Sequence, residues 1–474
     1  MSFADATTIA TTSRRAPGLA LFTLCLAVLI AQLDSSVVNL AVKRIGADFD
    51  AGVSAMQWVI DAYNLTYASL LLTAGTLGDL YGRRRMFIVG VGLLAFGSAV
   101  CGFAPGIGVL VAGRALAGVG AALALPSSLA ILAVAYPEPQ ARARAVGIWA
   151  SCNGMAIAIG PTAGGLLVDS AGWRSIFLLV LPICALALVL ARRAVPESMD
   201  RRGRRLDPAG QSLAILGLGA LAFTAIEGAR WGWTAAPIVA SGALVLVALI
   251  LFVAVEKRGD GALVPLELFG RRAFSASLGC AAAMTFGMYG FLFLLPIYLQ
   301  AAQGHSAFRA GLELLPTSLT FIIVSVVSGR LAARVGARTI MAAGLSAMGI
   351  GLLGLTGLSP ETPLWVMASW LIVIGIGLGL NTGPVMTVAV GSVPPARAGT
   401  ASGLVNTARM IGATLGVAVL GAVFAAYAGQ GAENAAGIGT GISTAFAVGG
   451  AGELLGALVA LAFIRGDALR RRTG

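Results

Sequence analysis

Apolar runs about 20 residues long recur from one end of this chain to the other, separated by short loops that gather most of its arginines. A bilayer core about 30 Å thick is crossed by about 20 residues of a helix rising 1.5 Å per residue, so each run has the length of one membrane span. The runs are continuous and do not alternate, which excludes a membrane barrel. Hydrophobic residues make up 58% of the chain and charged residues 11%, and the mean hydropathy is +0.90, far outside the range of a soluble domain. The fold class is therefore an all-α polytopic membrane protein, and lipid is its first partner.

Fourteen spans are expected, centred near residues 29, 66, 95, 120, 156, 183, 219, 245, 286, 320, 348, 376, 413 and 452. An even number puts both termini on one side. Loops on that side hold 25 of the 32 basic residues, five lie opposite, and Arg114 and Arg409 fall within spans. That bias places both termini in the cytoplasm and the chain in a plasma (inner) membrane. It also explains the net charge of +12 without a nucleic-acid partner. Residues 1–16, with Arg14 and Arg15, precede a first span too long for a signal peptide, so that span is expected to be retained. Five cysteines, all in apolar runs and without a CxxC pair, argue against a disulfide framework or a thiolate metal site. His305 is the only histidine, so no His-based metal cluster is expected.

The loop at residues 75–85 reads Gly-Thr-Leu-Gly-Asp-Leu-Tyr-Gly-Arg-Arg-Arg, a charged reversal between two apolar runs. Gly75, Gly78 and Gly82 permit a tight turn, and Asp79 faces Arg83, Arg84 and Arg85. Its skeleton returns 254 residues later, with Gly329, Leu331, Gly336 and Arg338 standing where Gly75, Leu77, Gly82 and Arg84 stood, and Ala333 in place of Asp79. Gly147 and Gly160 likewise return as Gly403 and Gly416, 256 residues on. Six spans need fewer residues than that offset, so two helices are left over, which places them at residues 210–255. The expected plan is six plus two plus six: a first bundle at 1–200, two added helices at 201–260 and a second bundle at 261–474. Parallel repeats of this kind are how rocking transporters are built.

Three charges fall at similar depth below the outer surface, Asp34 in span 1, Asp61 in span 2 and Arg114 in span 4. Isolated charges there cost several kcal/mol, so the three are expected to meet in one interior site, either functional or a static ion pair that orders the bundle. In span 5, Gly154, Gly160, Pro161, Gly164 and Gly165 predict a kinked helix with a flat face for close packing. The second bundle contributes Asn406 and Arg409 in span 13 and Glu313 at the outer start of span 10, where it would attract a cationic substrate. Glu453 in a terminal helix is expected at the periphery, and Glu227 beside Trp231 and Trp233 in an interfacial belt. No phosphate loop, GxSxG elbow or HExxH pair is present, so neither ATP hydrolysis nor intramembrane hydrolysis is expected and the chain does not read as an enzyme.

The loop at 75–85 resembles the signature between the second and third helices of the major facilitator superfamily. Leu33-Asp34 through Asn39, the Gly154 to Gly165 stretch followed by Trp173-Arg174-Ser-Ile-Phe177, Leu295-Pro-Ile-Tyr-Leu-Gln300 and Ala310-Gly-Leu-Glu-Leu-Leu-Pro316 are similar to the fourteen-helix drug:proton antiporters of the EmrB/QacA-like group. One departure is Ala117, which occupies a position of the fourth-helix signature where that family usually carries glutamine. The resemblance implies a major facilitator fold and a proton-driven exporter with no cofactor beyond the proton gradient. It also implies proton coupling through Asp34 and Arg114, and antiport linked to Gly160-Pro161. The expected substrate is a small amphipathic molecule, cationic or neutral, handled by a monomer. The alternatives are a dedicated exporter of one endogenous antibiotic, lipid or amino acid and, with less support, a membrane sensor or scaffold.

Overall fold

The computed structural model describes residues 17–200, 206–257, 264–394, 397–428 and 435–464. The terminal arginines and the expected joints near residues 200 and 260 lie outside them. The described residues form α1 (Pro17–Asp48), α2 (Val53–Tyr81), α3 (Arg83–Gly102), α4 (Ile107–Ala135), α5 (Pro139–Ala171), a one-turn α6 (Arg174–Leu178) and α7 (Val180–Ala194). Next come α8 (Pro208–Trp231) and α9 (Ala236–Glu256). The chain continues with α10 (Arg272–Ala301), the short α11 (Ala307–Glu313), α12 (Leu315–Val335), α13 (Ala337–Gly354), α14 (Leu364–Gly391), α15 (Ala398–Ala428) and α16 (Ala435–Phe463). Short 3₁₀ turns precede α10 and follow α13. Helices dominate because a backbone in hydrocarbon must satisfy its own hydrogen bonds.

Twelve helical spans among the described residues are long and apolar enough to cross a membrane. α5 supplies a thirteenth when its two arms, bent by 40° between Ala156 and Ala158, are taken as one. The bend falls where Pro161 demands it, since a proline ring clashes with the carbonyl four residues earlier. α2 falls short on hydropathy because it carries Gln57, Asp61 and Asn64, all of which are buried.

Two sets of helices pack with the same pattern. α3 lies on α4, α2 on α4, α5 on α1 and α7 on α1; correspondingly α13 lies on α14, α12 on α14, α15 on α10 and α16 on α10. The sets meet along α2 with α15 and along α5 with α11 and α12. The glycine echo has the same basis: Gly82 (φ +108°) and Gly336 (φ +99°) each reverse the chain between two helices in a conformation that side chains other than glycine rarely adopt.

α9 turns Val239, Leu246 and Ile250 outward and packs on α8. α8 makes polar as well as apolar contacts. It lies in the seam between α2 and α15 and is held to α2 by polar groups at both ends. Gln211 donates to the Ser69 carbonyl at 2.8 Å and accepts from Thr73, while Glu227 accepts from Trp58 Nε1 at 2.9 Å and Ser54 Oγ at 3.3 Å. Trp231 and Trp233 are exposed, so the belt reading fits the tryptophans, whereas Glu227 faces inward and is 6% exposed.

At Gly82 a Cβ would also lie 2.8 Å from the Glu197 carboxyl carbon, whereas at Gly75 it would meet open space. Gly82→Ala is expected to destabilise the purified protein by about 1–3 kcal/mol through strain at that turn. Gly75→Ala, inside α2, should leave the unfolding temperature unchanged or raised. Equal unfolding temperatures for the two variants would show that the turn is not tight.

Candidate functional site

The first element of the site is a buried ion pair. Arg114 Nη1 lies 2.5 Å from Asp34 Oδ2, each side chain is 1% exposed, and Arg114 Nε donates to the Val59 carbonyl at 3.0 Å. The guanidinium also sits 4.5 Å from the Tyr63 ring centroid and 5.9 Å from that of Phe177. The Tyr63 hydroxyl donates to the Ala31 carbonyl at 3.0 Å, closing a circuit through α1, α2 and α4. Proton binding to Asp34 would remove the anion that balances Arg114, and a guanidinium left alone in a dry interior costs several kcal/mol.

Asp61 does not join them, contrary to the expected three-charge cluster. It is fully buried, neither carboxylate oxygen has a hydrogen bond of good geometry, and the polar side chain acting on it is Asn64. It shares a helical face with Gln57, whose amide donates to the Val417 and Ala418 carbonyls at 2.8 Å, so this face of α2 is turned to α15.

The glycine-proline stretch of α5 sits where α1, α5 and α11 converge. A Cβ at Gly160 would collide with Ser36 Oγ, and one at Gly164 would lie 3.0 Å from Val37 Cβ. Gly165 abuts α11, where a Cβ would lie 2.7 Å from Phe308 Cα, and Gly311 abuts Pro161 in return, at 2.8 Å from its carbonyl carbon. Gly154 has open space beside it and faces the cavity described next.

Between the two helix sets lies a cavity of about 1830 Å³. Gln32, Tyr67, Trp149, Met288, Tyr289, Thr382, Asn406 and Arg409 line its interior, and it extends to the arginine-rich end, where Asp79, Arg83, Asp207, Lys257, Glu267 and Arg397 border it. Asp34 and Arg114 do not line it. The loop between α2 and α3 therefore stands at the mouth. Asp79 accepts from Arg83 at 2.8 Å, and Glu197, from the segment after α7, accepts from the backbone N–H groups of Arg84 and Arg85 at 2.9 and 3.2 Å.

The opposite end is closed by bonds between the sets. Lys43 Nζ donates to the Gln300 carbonyl at 2.5 Å, and Gln300 Nε2 donates to the Leu40 carbonyl at 3.2 Å. Asp169 accepts from the backbone N–H groups of Ala307 and Phe308 at 3.2 and 2.8 Å, with Arg44 3.6 Å away. Glu313 belongs to this end and not to the cavity. It is held at 3.1 Å by both His305 Nδ1 and Arg309 Nε.

Glu453 departs from the peripheral position expected of it. α16 exposes Leu455 and Leu458, but Glu453 is fully buried and pressed against Gly287 of α10. Sequence reasoning also passed over Glu197, Asp169 and Gln57, and gave Gln300 no role beyond its place in a family-like stretch. The two glutamines were signalled only by being amides within apolar runs, and the two acids carry no local signal of their partners.

A family model described as Major Facilitator Superfamily matches residues 24–215 and again 206–417. The multidrug resistance protein Stp of Mycobacterium tuberculosis is 41% identical over 83% of this chain and 73% of that protein. The methylenomycin A resistance protein of Streptomyces coelicolor is 36% identical over 83% of each chain. Among solved structures, a bacterial homologue of the human lysosomal transporter Spinster, in an inward-facing and unoccupied conformation, superposes with a TM-score of 0.66. That likeness covers 97% of this chain and 98% of the other at 19% identity, and it shows the fold.

The contrast between the paired and the solitary acid has a measurable consequence. Arg114→Gln leaves Asp34 as a buried anion without its cation and is expected to cost about 3–5 kcal/mol. Asp61→Asn removes no ion pair and should shift stability by less than about 1 kcal/mol. Thermal unfolding of the two detergent-purified variants checks this, and an equal loss would place Asp61 in the Arg114 cluster after all.

Proposed function

This chain belongs to the major facilitator superfamily, and on that premise we propose that it exports amphipathic drugs or toxic metabolites in exchange for protons by alternating access. One observation carries the reading. A large cavity between two like-packed helix sets reaches the arginine-rich end while side chains of both sets close the other. A site approached from one side at a time is what alternating access requires.

In this reading the chain crosses the plasma membrane fourteen times with both termini in the cytoplasm. The fourteenth span is α2, whose 29 residues reach about 43 Å and whose polar groups are covered by neighbouring helices. The plan is six plus two plus six, with bundles at 1–200 and 261–474 and the added pair within 201–260. Asp34 carries the transported proton, and its protonation frees Arg114. Asp61 is a second proton-binding group at the seam with α15. Gly160, Pro161, Gly164 and Gly165 let α5 move against α1 and α11. Gly75, Asp79, Gly82, Arg83 and Arg84 form the cytoplasmic gate, which docks on the first turns of α15 when the cavity closes. The protein works as a monomer, draws on the proton gradient and needs no cofactor or nucleic acid.

The name of the methylenomycin A resistance protein supports a second reading, export of one dedicated antibiotic on the same fold. A panel of amphipathic drugs applied to everted vesicles containing a pH-sensitive dye separates the two. Multidrug export gives proton release with several compounds, and dedicated export gives it with one. Asp34→Asn should abolish the signal at unchanged membrane abundance. Proton release that survives in this variant would sink the role given to Asp34, and none in the native protein with any compound would sink drug:proton antiport.

A further inference from the structure

The cavity is charged unevenly. At its mouth both signs occur, and four of the charges form two pairs: Asp79 with Arg83 at 2.8 Å and Glu267 with Arg397 at 3.3 Å. Deeper in, Arg409 is the one charged side chain among the described lining residues. It lies 11 residues along α15 from Ala398, about 16 Å from that end of the helix.

Arg409 has donors to spare. Nη2 donates to the Thr382 carbonyl at 2.9 Å, but Nε is buried without a partner, and no carboxylate of the described residues lies within ion-pair distance. The ionisable groups near enough to act on it are the hydroxyls of Tyr67 and Tyr289. A guanidinium has five N–H donors in a planar fork suited to carboxylate or sulfonate. Its free N–H groups face a large cavity, where they are open to water or to an anionic ligand that replaces it with a charge-assisted pair. Its backbone is fixed as well, since Thr285 Oγ1 of α10 donates to the Arg409 carbonyl at 2.6 Å. Arg114, the fully buried arginine of α4, shows the contrast: its carboxylate, carbonyl and aromatic partners are all supplied by the protein.

We propose that Arg409 anchors an anionic group of the substrate, a carboxylate, sulfonate or ionised phenol, so that this exporter prefers amphipathic acids to amphipathic cations. The claim rests on the export reading and names the substrate class of the same cavity. It departs from the cationic or neutral substrates expected from sequence, because Glu313, which was to attract cations, is occupied by His305 and Arg309 outside the cavity. The acid's apolar body would lie on Met284, Met288 and Tyr289, which share the wall.

Fluorescein and rhodamine 123 share a xanthene core and differ in charge, so their binding to the purified full-length protein, followed by fluorescence polarisation, tests the proposal. Fluorescein should bind the native protein more tightly. Arg409→Gln should weaken fluorescein by about tenfold or more, the loss of one charge-assisted hydrogen bond, and leave rhodamine 123 unchanged or tighter. Arg409→Lys should retain part of the preference. Asn406→Asp keeps the arginine, sets a carboxylate one turn before it, and should lower the preference as Arg409→Gln does. It decides the matter even if Arg409→Gln fails to fold. Tighter binding of rhodamine 123 by the native protein, no fluorescein binding, or equal changes for both dyes in the variants would overturn the proposal. Equilibrium binding needs no proton gradient, so selective binding without transport in vesicles would instead refute export.

Discussion

A guanidinium stays charged wherever it is put, so a helix bundle that buries Arg114 must build acceptors around it. Asp34 from α1, the Val59 carbonyl from α2 and the rings of Tyr63 and Phe177 do this together. Each requirement fixes a helix. Tyr63 reaches the charge because Gly118 has no side chain: a Cβ there would lie 3.0 Å from Tyr63 Cα. The same Tyr63 is held to α1 through the Ala31 carbonyl, and Phe177 enters from the turn before α7. Well-packed apolar residues hold helices together as well as a buried ion pair does, so stability alone does not call for this one. What it adds, in the proposed antiport, is a charge around which three long helices are arranged and which one proton would remove.

The two ends of the molecule are built from different interactions. Where the sets touch at the end away from the arginines, side chains of one bond mainly to the backbone of the other, as in Lys43 to Gln300, Asp169 to Ala307 and Phe308, and Gln57 to Val417 and Ala418. Each such bond is worth about 1–3 kcal/mol net, the larger values where Lys43 or Asp169 takes part, and water can replace it when the contact opens. A closure made of a few exchangeable bonds leaves the two states of a transporter close in energy, as a proton or substrate must be able to tip them. At the arginine-rich end the ion pairs stay within a set, Asp79 with Arg83 in the first and Glu267 with Arg397 in the second, and Glu197 and Asp79 hold the turn at Gly82. That turn can move as a unit.

Features governed by a local cost were readable in the sequence. The length of each apolar run, the glycines at Gly82 and Gly336, the bend before Pro161 and the pairing of Asp34 with Arg114 all follow from penalties that one or two residues incur. Features that depend on helix rotation were not. Asp61 and Arg114 lie at similar depth, but depth does not say which way a side chain faces, and Asp61 faces α15. Glu453 was misjudged for the same reason: a peripheral helix still has an inner face, and this carboxyl is on it. Glu197 meets Arg84 across 113 residues, and nothing in either segment announces the other. A mean-hydropathy test passes over α2, because it counts Gln57, Asp61 and Asn64 against the helix although its neighbours bury them.

α8 shows how packing chemistry can decide which parts move together. Its polar bonds run to α2, through Gln211 at one end and Glu227 at the other. Its contact with α15 is apolar, with Leu218, Leu221 and Ala222 facing Ile411 and Leu415, and Ala225 and Ile226 beside Ala418. In a low-dielectric surrounding, a buried carboxylate that loses its indole and hydroxyl donors is costly, whereas apolar surfaces slide on one another with little change in energy. A relative rotation of the two sets would therefore carry α8, with α9 on its back, along with the first set and shear it against α15. The helix that lies in the seam would thus belong mechanically to one side of it and leave the two sets free to turn on one another.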